Sequence, residues 1–261
     1  MNSKYLQLIV YFCFYNKNIK LMTIKKHLPN AITLLNLLSG LIALVYAFDD
    51  NLQMAFLWVC MGIFLDFWDG FAARVLNVSS PLGVQLDSLA DMVTSGVVPG
   101  VVMYQMLAHI IENSESNLFY MKLLPFIGFI ITLGACYRLG KFNIDTRQTS
   151  SFIGLPTPAN ALFILSIPMI TKDLPEGDFV FKIFTDPYVL VFISLFSAFI
   201  MNVEIPLFSL KTKNKNLSDN KITLLFLGIC ALLLLFFRFE AIPVIIAFYI
   251  GLSVVLNFTK K

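Results

Sequence analysis

Four aspartates, Asp66, Asp69, Asp87 and Asp91, stand in the arrangement D-x2-D-G-x2-A-R-x8-G-x3-D-x3-D within an otherwise very apolar chain. The same pattern fixes Gly70, Ala73, Arg74 and Gly83. Carboxylates at the edge of a membrane are costly unless a cation compensates them. At about 100° per residue, Asp66, Asp69, Gly70 and Ala73 share one face of a helix, and Gly83, Asp87 and Asp91 share one face of the next. Two such faces, opposed, offer four oxygen-donor side chains to a common point. Hard divalent cations such as Mg²⁺ take oxygen ligands and usually keep substrate phosphates as partners. Gly70, Ala73 and Gly83 leave the same face bare, so a bulky ligand can approach the backbone. One aspartate in such a place is an ordinary helix-end charge. Four of them, with the small residues and Arg74 in register, specify a site.

The elements that must position these residues are membrane helices. The chain has 261 residues, 58% hydrophobic and 13% charged, with 26 Phe; no soluble domain of this size needs such a composition. Eight apolar runs are read at 31–48, 52–66 (continuing to about 75), 82–107, 118–138, 158–171, 188–201, 222–237 and 241–257. Several approach the ~20 residues that span a bilayer as a helix; the fifth and sixth are short. Backbone polar groups must be satisfied internally in lipid, and the runs do not alternate as barrel strands would. The expected class is therefore all-α, a polytopic membrane protein with about eight transmembrane helices.

Charge sets the expected orientation. Net charge is only +3, but with a cytoplasmic N-terminus thirteen Lys and Arg residues fall on the inside. Lys122, Lys172, Lys182 and Arg238 are the four on the outside. That asymmetry follows the positive-inside rule and places both termini in the cytoplasm. The aspartates then lie at the cytoplasmic ends of the second and third helices, around the loop 76–81. Cys13, Cys60, Cys136 and Cys230 show no paired spacing and read as packing residues. His27 and His109 are lone histidines with no assigned role. No nucleic-acid partner is expected.

The run 5–15 is apolar but too short to span, and no small-residue cleavage site follows it. Residues 1–21 are accordingly read as an N-terminal extension or a misassigned start, with translation beginning at Met22. Residues 22–215 form the expected catalytic domain and 216–261 a C-terminal transmembrane helix pair.

The eight-residue motif resembles the signature of the CDP-alcohol phosphatidyltransferases, and every specified position is filled. Further stretches resemble the membrane-embedded bacterial phosphatidylserine synthases within that family. These are P-N-x2-T-x2-N-x3-G from Pro29 to Gly40, DSLADMVTSGVVP at 87–99, YRLGKFN at 137–143, FIGLPTP at 152–158 and IPLFSLK at 205–211. The likeness runs from about residue 29 to 211. Two positions depart from that subfamily: Lys141 stands where a second Arg is usual, keeping the charge without the bidentate fork, and Ser95 stands where Phe is common.

The resemblance implies a reaction. The substrate would be CDP-diacylglycerol, attacked by an alcohol at the phosphorus next to diacylglycerol, with CMP leaving, in the bacterial inner (cytoplasmic) membrane. It implies two divalent ions, Mg²⁺ or Mn²⁺, held by Asp66, Asp69 and Asp87 with Asp91 near the second. Asp91 would also be the general base toward the acceptor hydroxyl. Gly70, Ala73 and Arg74 would hold the nucleotide and Gly83 give it room, with Asn30 and Thr33 of the first helix in the same CDP-lipid site. Arg138, Lys141 and Asn36 are candidates for contact with phosphate or acceptor; Arg147 reads as a positive-inside anchor. Glycerol-phosphate-using relatives tend to carry Arg where this chain has Asn36, and an amide there suits a neutral or zwitterionic acceptor. The expected acceptor is L-serine and the product phosphatidylserine, with glycerol 3-phosphate or inositol phosphate as the alternative acceptors. The expected assembly is a homodimer. An ion or metal transporter is the reading from another class; it predicts acids spread across the membrane depth, whereas these four cluster at one edge.

Overall fold

The computed structural model describes residues 27–78, 80–112, 119–145, 153–207 and 221–259. Residues 1–21, and with them the start at Met22, lie outside the described residues, as do Arg147, Lys211, Lys213 and Lys215. The described chain is helical, with one isolated β-bridge between Ile153 and Pro206. Its main helices are α1 (His27–Phe48), α2 (Leu52–Leu76), α3 (Pro81–Glu112), α4 (Met121–Ile144), α5 (Thr157–Lys172), α6 (Pro187–Asn202), α7 (Lys221–Phe237) and α8 (Ala241–Thr259).

Among the described residues five stretches are long and apolar enough to cross a bilayer: α1 to α4, and Lys221–Leu256, which takes in α7 and most of α8. The chain is thus a multi-pass membrane protein. The number eight is not reached on length: α5 and α6 have 16 residues each, short of the ~20 that a full span needs. Helices α7 and α8 pack on each other across the 3₁₀ turn Arg238–Glu240, where Arg238 takes a positive φ of 48°.

The helix ends follow local chemistry. Asn51 caps α2 by accepting from the Met54 N–H at 3.2 Å, and α2 closes on Asn77 in the left-handed region. Ser80 then caps α3 by accepting from Gly83 N–H at 3.0 Å, with Pro81 at the first helical position. A Ser N-cap followed by Pro is a strong start signal, because both deal with the orphan N–H groups of the first turn. These two ends turn the chain sharply, so the motif halves on α2 and α3 face each other. Asp186 caps α6 in the same way, accepting from Tyr188 and Val189 N–H groups.

Helix α3 is not regular throughout. Residues Met92–Val97 form a π-turn, marked by a bond from Val98 N–H to the Val93 carbonyl. The cause is legible in Pro99, which lacks an N–H and would press its ring against the Ser95 carbonyl in a regular helix. One residue of extra winding relieves the clash. Thr132 of α4 donates to the Gly96 carbonyl at 2.9 Å and so partners a carbonyl of the turn.

Close helix contacts rest on small residues, as expected where lipid supplies no drive to associate. A Cβ on Gly134 of α4 would lie 2.9 Å from Ala198 Cα of α6. A Cβ on Gly128 would lie 2.8 Å from the Tyr104 N atom of α3. Met103, Leu107, Ile131, Ile164, Ile167 and Leu190 fill the space between α3, α4, α5 and α6. Many large apolar side chains, among them Phe64, Phe67, Leu133, Phe192 and Leu235, point outward, which suits a lipid solvent. At Gly154, whose φ is +73°, the loop into α5 donates its N–H to the Ile205 carbonyl at 3.0 Å. A side chain there would strike the Met201 carbonyl.

Candidate active site

The α2–α3 turn brings carboxylate oxygens of Asp66, Asp69 and Asp87 all within 4.8 Å of one another. Among the described residues none of the three is in an ion pair; the ion pair present joins Lys141 to Glu204. Three carboxylates this close in a partly buried setting cannot all keep their charge unless a cation compensates them. Their oxygens are the hard donors that Mg²⁺ and Mn²⁺ prefer. The residues therefore fit a divalent metal. Asp69 is itself buried and accepts a hydrogen bond from Thr33 Oγ1 of α1, which fixes one of its oxygens.

Beside the carboxylates lies a cleft of about 160 Å³ lined by Asn30, Thr33, Gly70, Ala73 and Gly83 together with Asp69 and Asp87. The glycines shape it. A Cβ on Gly70 would meet only open space, and one on Gly83 would stand 3.2 Å from Asn30 Oδ1 and 3.2 Å from Ser80 Oγ. Gly83 thus lets α1 close against the start of α3. Arg74 is the exception among the motif residues. Its exposed side chain turns back along α2, with Nε donating to the Gly70 carbonyl at 3.0 Å, and it does not line the cleft. A larger cleft, about 460 Å³, is lined by Asp50, Gln105, His109 and Lys172. It holds none of the motif residues and sits at the opposite ends of the helices.

Asp91 lies outside that trio, though near enough to Asp66 and Asp87 for like charges to repel, and it is held differently. Asn36 of α1 is fully buried, and its Nδ2 donates to Asp91 Oδ1 at 3.4 Å. The amide is oriented, because Thr94 Oγ1 donates to Asn36 Oδ1 at 2.9 Å and a turned amide would set its oxygen against the Asp91 carboxylate. This joint is packed through two glycines. A Cβ on Gly62 would lie 2.6 Å from Thr94 Cγ2 and 2.8 Å from Asn36 Oδ1, and one on Gly40 would strike Thr94 Oγ1. The pattern N-x3-G in α1 therefore supports Asp91 rather than presenting an amide to the cleft. The sequence marked Asn36 and Gly40 but not Thr94 or Gly62, whose role depends on the π-turn.

The basic candidates separate. Arg138 is buried, and Nη1 donates to Thr157 Oγ1 at 3.5 Å. It lies close enough to Asp91 for the opposite charges to attract. Lys141 points elsewhere, pairing through Nζ with Glu204 Oε1 at 2.9 Å; that pair spans 63 residues and no local signal announces it. Asn143, from the same stretch, accepts from Ser88 Oγ at 3.0 Å and ties α4 to α3 beside Asp87.

Two membrane helices that set a carboxylate trio beside a bare-walled cleft fit a hard cation and an anionic ligand held against it. Residues 26–208 match the model of the CDP-alcohol phosphatidyltransferases, and the chain belongs to that family of phosphatidyl-group transferases. Its relatives include a CDP-diacylglycerol–serine O-phosphatidyltransferase of Bacillus subtilis (strain 168), 39% identical over 136 residues, covering 51% of this chain and 70% of the relative. The enzyme of that name from Helicobacter pylori (strain J99) is 34% identical over 142 residues, covering 52% and 55%. An archaetidylserine synthase of Methanothermobacter thermautotrophicus is 29% identical over 142 residues, covering 53% and 56%. The chain thus spans little more than half the length of the latter two.

Proposed function

We propose that the protein transfers the phosphatidyl group of CDP-diacylglycerol to L-serine, giving phosphatidylserine and CMP, in phospholipid biosynthesis. The observation that carries this reading is the uncompensated trio Asp66, Asp69 and Asp87 beside a cleft walled by Gly70, Ala73 and Gly83. Serine is supported by the relatives, whose names share it as acceptor while differing in the lipid.

The residues divide the work. Asp66, Asp69 and Asp87 would hold divalent metal, Mg²⁺ or Mn²⁺ and two ions in the fullest reading. Bound there, metal supplies positive charge against the diphosphate and the oxygens that gain charge as the bond breaks. Asn30, Thr33, Gly70, Ala73 and Gly83 receive the CDP portion, and Arg74 reaches it only by leaving the Gly70 carbonyl. Asp91 takes the proton from the serine hydroxyl as its oxygen bonds to the phosphorus next to diacylglycerol and the CMP oxygen departs. Asn36, itself held by Thr94, donates to one oxygen of Asp91, which leaves the other for the proton.

An acceptor screen tests the reading. Purified protein with CDP-diacylglycerol and Mg²⁺ or Mn²⁺ releases CMP rapidly with serine and slowly with glycerol 3-phosphate or inositol phosphate. Preference for glycerol 3-phosphate would refute the serine assignment and leave the family intact.

Orientation belongs to the same proposal: a cytoplasmic membrane, both termini inside, the protein a homodimer. The excess of Lys and Arg on one side supports the sidedness. An engineered cysteine replacing Glu176, between α5 and α6, reacts with an impermeant maleimide added outside cells, and one replacing Asn77 reacts only after permeabilisation. Labelling of the Asn77 position from outside would invert the topology.

A further inference from the structure

Three buried side chains, in the π-turn that follows Asp91 and on the two helices packed against it, hold polar atoms without a partner. Ser95 Oγ, Arg138 Nε and both the Oδ1 and Nδ2 atoms of Asn160 make no hydrogen bond. Ser95 and Asn160 are fully buried and Arg138 nearly so. Buried polar groups are usually bonded, and each exception calls for an explanation. A buried amide with neither end satisfied is the least usual of the three.

Their placement is common to one region. Ser95 lies in the π-turn, one turn beyond Asp91. That turn packs against both α4, which carries Arg138, and α5, which carries Asn160. Arg138 reaches Thr157 at the start of α5, and Asn160, three residues on, shares Thr157's helix face. The cleft beside the carboxylate trio is lined by none of these residues, so the group is separate from the proposed CDP site.

The chemistry matches one kind of ligand. A guanidinium with free N–H donors suits a carboxylate. An amide oxygen and a hydroxyl, next to Asp91, suit an ammonium. Arg138 with Asp91 beside it offers one charge of each sign, which matches a zwitterion; a phosphomonoester dianion would need more cations. We infer that Arg138, Asn160 and Ser95 form the subsite for the α-carboxylate and α-ammonium of a free amino acid acceptor, with its hydroxyl toward Asp91. The inference rests on the proposed phosphatidyl transfer and adds the residues that choose the acceptor.

The test uses full-length protein in lipid nanodiscs with CDP-diacylglycerol and Mn²⁺. Asn160→Leu removes the orphan amide at similar volume. It raises the KM for serine by about tenfold or more, the loss of roughly one hydrogen bond to a charged group. The KM for CDP-diacylglycerol stays within about twofold of wild type, and the thermal midpoint holds or rises, since replacing an unsatisfied polar group by an apolar one is neutral or stabilising. Ser95→Ala shifts serine KM in the same direction and serves if Asn160→Leu does not fold. Arg138→Gln lowers the preference for serine over ethanolamine, which lacks the carboxylate; a purely structural Arg138 would leave that ratio unchanged. Unaltered serine KM in folded Asn160→Leu or Ser95→Ala protein, or parallel rises for serine and CDP-diacylglycerol, overturns the inference. Wild-type protein that ignores serine overturns the acceptor reading itself, a result visible before any variant is made.

Discussion

Asp91→Asn lowers turnover by about 10²–10⁴-fold, the usual worth of a positioned general base, while Mn²⁺ and CDP-diacylglycerol bind nearly as in wild type. The expectation follows from the geometry. Asp66, Asp69 and Asp87 form their close cluster without Asp91, and Asp91 is held by Asn36 instead. An amide at position 91 keeps the shape and one acceptor oxygen but cannot take a proton from the acceptor hydroxyl. The measurement is single-turnover CMP release across a Mn²⁺ titration, with binding of CDP-diacylglycerol measured in parallel. Recovery of Asp91→Asn activity at high Mn²⁺ would make Asp91 a ligand and remove its role as base.

Asp66→Asn and Asp87→Asn behave in the opposite sense. Each removes a donor from the trio, and Mn²⁺ affinity falls by more than the ~10–100-fold lost with an outer-shell partner. Affinity for CDP-diacylglycerol falls with it, because the diphosphate loses its counter-charge. Without metal the same variants are at least as heat-stable as wild type, since an amide relieves the crowding of three carboxylates. The wild type gains thermal stability on adding Mn²⁺, by mass action, and the variants gain little. Thermal unfolding with and without Mn²⁺ reads both effects. Equal Mn²⁺ stabilisation of wild type and both variants would show that metal binds elsewhere.

Much of this site is legible in the sequence because it is local. The spacing of Asp66, Asp69, Gly70 and Ala73 on α2, and of Gly83 and Asp87 on α3, converts directly into faces. Ser80 and Pro81 announce the helix start that opposes them. Apolar runs located the helices but not their ends. Helix α1 begins at His27 and α3 runs on to Glu112, beyond the runs 31–48 and 82–107, because hydropathy reports contact with lipid and not the continuity of backbone hydrogen bonds. The π-turn was written in Pro99, yet its consequence, Thr94 locking the Asn36 amide, needs α1, α2 and α3 together. Contacts between residues far apart in the chain were not legible: Lys141 with Glu204, Arg138 with Thr157, and the unpartnered Asn160. The retreat of Arg74 onto the Gly70 carbonyl was equally hidden, since an i, i+4 bond to the backbone leaves no mark in residue type.

The most direct test of the central claim follows the serine carbon skeleton. Purified protein is incubated with CDP-diacylglycerol, Mn²⁺ and radiolabelled L-serine, and the lipid phase is extracted while CMP is measured in the aqueous phase. The account predicts label in phosphatidylserine equal in amount to the CMP released, with both absent when metal is chelated. CMP released without label entering the lipid phase, or metal-independent labelling of lipid, would contradict it.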